Sequence, residues 1–216
     1  MKNRPRILIL ILADLLLSAM CIGSFLAMAL ARDADGRLTD TGIRSLKYFT
    51  VDSNIICGIA ALIEAVFLIP VFLGKRDAAA AWVRWFRLAG TSSVAMTFFV
   101  VLTFLGPTMG YRYMFTGPSL YMHLLSPVLA VLTFLLFRRA TGLDRKCFYL
   151  GSIPLALYAV YYMYGVITAG RKMDWYGLAA WGQVWFAPVF IVIILISCGL
   201  SYLLVRFGGA GKAHFS

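Results

Sequence analysis

Two short polar clusters interrupt an otherwise apolar chain, and each begins a long apolar run. One is Lys47-Tyr48-Phe49-Thr50-Val51-Asp52-Ser53-Asn54; the other is Tyr121-Met122-His123-Leu124-Leu125-Ser126-Pro127. Thr50 and His123 are the parts of a nucleophile and its base. A threonine hydroxyl attacks poorly at neutral pH unless a neighbour takes its proton, and imidazole, with an ordinary pKa of about 6.5, suits that task. His123 is one of two histidines, the other being His214 in the C-terminal tail. Asn54 follows Thr50 by four residues and Ser126 follows His123 by three, spacings that share a helical face. Attack on a carbonyl creates an oxyanion that needs donors, for which Asn54 is the first candidate and Ser53 the second. Asp52 is a candidate to orient the imidazole, although two residues from Thr50 it points to another helix face. Two plainer readings stay open: a helical threonine often bonds its own backbone one turn back, and a membrane histidine often bridges two helices.

The elements that must position these groups are membrane helices. Of the 216 residues 62% are hydrophobic and 13% charged, with mean hydropathy +0.85. A water-facing surface needs about twice that charge. Six runs reach the roughly 20 residues needed to cross a bilayer, at about 7–31, 47–73, 88–105, 119–137, 148–168 and 184–205. They are continuous rather than alternating, so the fold class is an all-α, polytopic six-transmembrane-helix bundle in a single domain over 1–216, not a barrel. The first run is too long for a signal-peptide core and reads as a retained span. Gly106-Pro107 is expected to close the third span.

The net charge of +11 raises a nucleic-acid reading, which its distribution argues against. With the N-terminus inside, 13 basic residues, among them Arg84, Arg87, Arg138 and Arg139, fall on the cytoplasmic side and 7 on the other. The positive-inside rule then makes both termini cytoplasmic, and the basic loops are expected to meet anionic lipid headgroups. On that topology Thr50 and His123 lie roughly 5 Å below the same, outer, boundary. The positive-inside bias and short loops fit a bacterial inner membrane, and fit a eukaryotic one too. Cys21, Cys57, Cys147 and Cys198 are scattered, with no metal-ligand spacing and no disulfide framework. No metal or cofactor is expected, and a homo-oligomer is compatible with the chain.

The same residues resemble a known family. Tyr48-Phe49-Thr50 with Ser53-Asn54 resembles the second-span motif of the androgen-induced and androgen-dependent integral-membrane threonine hydrolases, in their bacterial branch. His123-x-x-x-Pro127 resembles the fourth-span motif. Ile153-Pro154-Leu155-Ala156-Leu157-Tyr158, Tyr161, Gly170 and the Trp175-Tyr176 pair are similar to the same branch. The histidine-to-proline gap is one residue shorter than in the animal hydrolases, and Gly177-Leu178-Ala179 replaces a stretch richer in proline and aromatics. The resemblance implies hydrolysis of membrane lipid esters, such as fatty acid esters of hydroxy fatty acids, with Thr50 as nucleophile and His123 as base.

Asp14 and Glu64 are intramembrane acids at similar depth, where each could meet the other, a hydroxyl or an arginine. With Asp52 they also motivate the rival reading, a small proton-coupled carrier with Gly and Pro breaks in its spans. A non-enzymatic membrane scaffold is the third.

Overall fold

The computed structural model describes residues 4–31, 42–137, 139, 142–177, 182 and 185–209, apart from the side chains of 147, 171 and 186. His214, the Leu178-Ala179 pair and the basic residues Lys2, Arg32, Arg37, Arg138 and Lys212 lie outside them.

Six helices are long and apolar enough to cross a membrane: Arg4–Ala29, Phe49–Phe72, Ala81–Met109, Pro118–Leu136, Phe148–Ala169 and Ala187–Phe207. No strand occurs among the described residues. The third helix is the hub, with every residue from Arg87 to Thr97 buried. Its run Gly90-Thr91-Ser92-Ser93 suits that place, because small residues let helix backbones approach where lipid gives no hydrophobic drive. A methyl group on Gly90 would stand 2.9 Å from the Cα of Cys57 on the second helix. Leu17, Cys21, Cys57, Ala61, Val94 and Ala130 join the first four helices at mid-bundle. Cys21, Cys57 and Cys198 are free thiols.

The third span differs from the sequence expectation at both ends. It begins at Ala81 rather than 88, and it continues through Gly106-Pro107 to Met109. Proline lacks the amide that an α-helix needs and crowds the preceding turn. Here the strain is absorbed by a π turn over Val101–Leu105, in which the Gly106 amide reaches back five residues to the Val101 carbonyl. The fourth helix repeats the device: a π turn spans Tyr121–Leu125, the Ser126 amide bonds the Tyr121 carbonyl, and Pro127 follows.

Each π turn leaves one carbonyl facing a proline that has no N–H to give. At the first, the orphan is Leu102, and the hydroxyl of Tyr111 donates to it at 2.7 Å. That ring lies where a side chain on Gly106 would be, 2.1 Å from the nearest ring carbon. At the second, the orphan is Met122, and the Asn54 side chain donates to it at 3.2 Å.

Away from this end, a buried ionic cluster ties four helices together. Arg87, fully buried on the third helix, brings its Nε 3.5 Å from Asp14 and 3.2 Å from Glu64. Arg139, just past the fourth helix, bonds Asp14 at 2.8 Å and also Glu64. Two carboxylates and two guanidiniums make a formally neutral set, the form in which charge is tolerated inside a membrane protein. Arg87 and Arg139 are therefore not headgroup anchors, as their flanking positions suggest; each has acids to meet indoors. Setting them aside leaves eleven basic residues on the side of the termini against seven, so the charge bias survives.

Candidate active site

Thr50 is the second residue of its helix, and the chain enters through a short 3₁₀ turn, Ile43–Lys47. Eight threonines are described, and six of them donate to the carbonyl four residues back: Thr91, Thr103, Thr108, Thr116, Thr133 and Thr168. Thr97 pairs with Ser53 at 2.9 Å. The Thr50 hydroxyl alone bonds no described residue. The extended Tyr48 separates the second helix from the 3₁₀ turn, so no turn of the same helix lies behind Thr50 to take the usual backbone bond.

His123 occupies the middle of the π turn and is largely buried. Its Nδ1 lies 2.9 Å from the Met114 carbonyl. A carbonyl oxygen only accepts, so the neutral ring carries its proton on Nδ1 and keeps a lone pair on Nε2. Met114 belongs to the one-turn helix Tyr111–Met114 that links the third and fourth spans. That backbone group holds the imidazole, the role for which Asp52 was a candidate despite its different helix face. Asp52 borders a separate groove with Ile55, Pro154 and Leu157.

Thr50 and His123 line one cavity of about 370 Å³, together with Tyr48, Ser119, Met122 and Tyr176. Thr50 also lines a second, narrower cavity of about 120 Å³, walled by Met96, Leu155, Phe190 and Ile193 and almost wholly apolar. Thr50, Phe104, Leu105 and Tyr176 belong to both. Thr50 thus stands where the larger, more polar chamber meets an apolar slot.

The neighbours expected to serve as oxyanion donors are engaged elsewhere. The Asn54 side-chain amide has two hydrogens, and they go to the carbonyls of Thr50 at 2.8 Å and Met122 at 3.2 Å. Ser53 has one, which goes to the Thr50 carbonyl at 2.9 Å, leaving Thr97 to donate to Ser53. Ser126 is buried but outside the cavity. The expected stacking on His123 assumed α-helical spacing, and the π turn between them changes the rotation per residue.

An aromatic cluster closes the site on the fifth-helix side. The Tyr158 hydroxyl donates to the Lys47 carbonyl at 2.7 Å and accepts the Trp175 indole N–H at 2.9 Å. The Tyr176 hydroxyl accepts the Phe49 amide at 3.1 Å. These bonds fix the entry to the second helix and so the position of Thr50. Tyr176 and the Met114 carbonyl were not assigned roles from the sequence. The only signals for them were the Trp175-Tyr176 pair in a loop and the prolines that mark the π turns. Among the described residues no group of three or more histidine, cysteine, aspartate or glutamate side chains could hold a metal ion. Compared with protein-family models, with curated proteins and with solved structures, the chain matches none.

Proposed function

We propose that the protein is an intramembrane hydrolase of lipid esters, with Thr50 as nucleophile and His123 as general base. The observation that supports this reading is that Thr50, whose hydroxyl bonds no described residue, lines one cavity with His123, whose Nδ1 is engaged by the Met114 carbonyl, while the other described threonines bond a backbone or a serine. Nε2 takes the hydroxyl proton as Thr50 Oγ1 attacks the ester carbonyl. The alcohol leaves with that proton, and water, activated by the same imidazole, releases the acid from the acyl-threonine.

The apolar slot supports an acyl substrate, because a hydrocarbon tail gains about 0.8 kcal/mol per methylene buried. The wider chamber suits the polar or branched alcohol portion. With both termini inside, as the basic residues favour, the site opens near the outer boundary of the membrane, where water reaches it. This is also the chemistry implied by the resemblance to the bacterial branch of the androgen-induced and androgen-dependent threonine hydrolases.

The test is labelling of the purified protein by a fluorophosphonate probe beside Thr50→Ala and His123→Ala. Labelling that vanishes in the first and drops sharply in the second is the expected result. Equal labelling of all three would move any reactivity away from Thr50 and overturn the assignment.

A further inference from the structure

Hydrolysis through Thr50 needs two things the proposed function leaves open: which groups receive the oxyanion, and from which side. With the Asn54 and Ser53 hydrogens engaged, the donors must come from elsewhere.

The helix start supplies one. Of its first amides, Phe49 donates to the Tyr176 hydroxyl, while Val51 and Asp52 donate to the Tyr48 carbonyl at 3.0 and 3.3 Å. The Thr50 amide is the one left without a partner among the described residues. It also stands at the positive end of a 24-residue helix, which favours a developing negative charge.

The aromatic cluster supplies the other. The single Tyr158 proton goes to the Lys47 carbonyl at 2.7 Å, and Tyr158 only approaches the Tyr176 oxygen, from the donor side, at 3.4 Å. That length is beyond a good O–H···O bond. The Tyr176 hydroxyl accepts both in this contact and from the Phe49 amide, so its own proton has no acceptor among the described residues; its oxygen is anchored by the amide next to that of Thr50, and Tyr176 lines both cavities that meet at Thr50. Burial pushes the phenol above its ordinary pKa, so it keeps the proton it would give.

We infer that the Tyr176 hydroxyl and the Thr50 main-chain amide form the oxyanion hole of this site; the inference rests on the hydrolase reading. As the Thr50 Oγ1–carbon bond forms, the carbonyl electron pair moves onto oxygen and is received by these two donors. The Thr50 proton passes to Nε2 of His123. Collapse breaks the bond to the leaving alcohol, which takes that proton, and the two donors return to a neutral carbonyl.

The experiment uses the full chain in detergent micelles, with p-nitrophenyl octanoate as substrate. Tyr176→Phe keeps the ring and removes only the hydroxyl. The expected result is a kcat lower by roughly 100-fold or more with KM within about threefold, since the lost bond belongs to the transition state. Replacing Tyr176 with fluorinated tyrosines, which keep ring and hydroxyl, is expected to make kcat track the acidity of the phenol. That series decides the matter if Tyr176→Phe does not fold. A kcat within about threefold of the parent in Tyr176→Phe, or one indifferent to fluorination, overturns the oxyanion role. If Thr50→Ala and His123→Ala still abolish turnover, the hydrolase reading stands. A parent that neither turns over the ester nor takes the fluorophosphonate overturns both.

Discussion

Asn54 donates its side-chain amide to the main-chain carbonyl of Met122, 68 residues away, at 3.2 Å. The same nitrogen bonds the Thr50 carbonyl at 2.8 Å. One side chain therefore holds the backbone of the nucleophile to the residue before the base. It can do so because Pro127 has no amide for the Met122 carbonyl, so the proline creates the acceptor that Asn54 fills.

This makes Asn54 a positioning residue, and Asn54→Ala should show it. Leaving a buried carbonyl unpaired costs about 1–3 kcal/mol, and the loosened pair should lower kcat. Pro127→Ala restores an amide at that turn, so in the double variant the stability cost of Asn54→Ala should shrink. Denaturant unfolding in micelles across the four proteins would reveal a coupling of roughly 0.5–3 kcal/mol. Additive effects would mean that Asn54 and Pro127 do not act through the Met122 carbonyl.

The spans were legible because their cause is local: twenty apolar residues in a row have one common solution. The two polar clusters were legible for the same reason, since such groups at the head of a span must face protein or water. What escaped was set by partners distant in sequence. Gly106-Pro107 reads as a helix end, and only the π turn with Tyr111 capping Leu102 shows why the helix survives it. Arg87 reads as a flanking charge, and only the placement of Asp14 and Glu64 shows it to be interior. Asn54 and Ser53 read as free donors because the carbonyls they serve carry no sequence signal.

The buried cluster gives a prediction about stability alone. Arg139→Met removes a guanidinium that Asp14 and Glu64 share, leaving two carboxylates to Arg87. Breaking one side of a buried ion pair typically costs about 3–5 kcal/mol. Adding Glu64→Gln should recover a large part of that by removing the charge left in excess. Thermal unfolding in micelles measures both steps. Neither residue lines the cavities at Thr50, so folded protein should keep its fluorophosphonate reactivity. Equal destabilisation by the single and double changes would show that the cluster is not held by charge.

The pH dependence has a definite sign. Only the neutral imidazole accepts the Thr50 proton, so kcat/KM should fall about tenfold per pH unit below the His123 pKa and level off above it. Tyr176 must stay protonated to donate, and burial raises its pKa above the ordinary phenol value. No alkaline fall should therefore come from it below about pH 10. Initial rates on a soluble ester across pH 5 to about 10 test both limbs. A rate that rises as pH drops would remove His123 as base, and an alkaline limb that disappears in Tyr176→Phe would mean its phenol ionises in the working range.

The narrow slot makes chain length the readout of where the tail lies. Ile193 lines it from the sixth helix and is only partly buried, so Ile193→Trp can intrude on the slot without overfilling a sealed core. Each methylene kept out forfeits about 0.8 kcal/mol, so excluding three should lower the decanoate-to-butyrate ratio of kcat/KM by roughly fiftyfold. The wider chamber carries His123, Ser119 and Tyr48 and offers a tail fewer apolar walls. A ratio that stays put in Ile193→Trp but moves in Met28→Trp, which lines only the wider chamber, would reverse the assignment of tail and alcohol. It would also reverse the face from which the leaving group departs, and so the direction from which deacylating water must come.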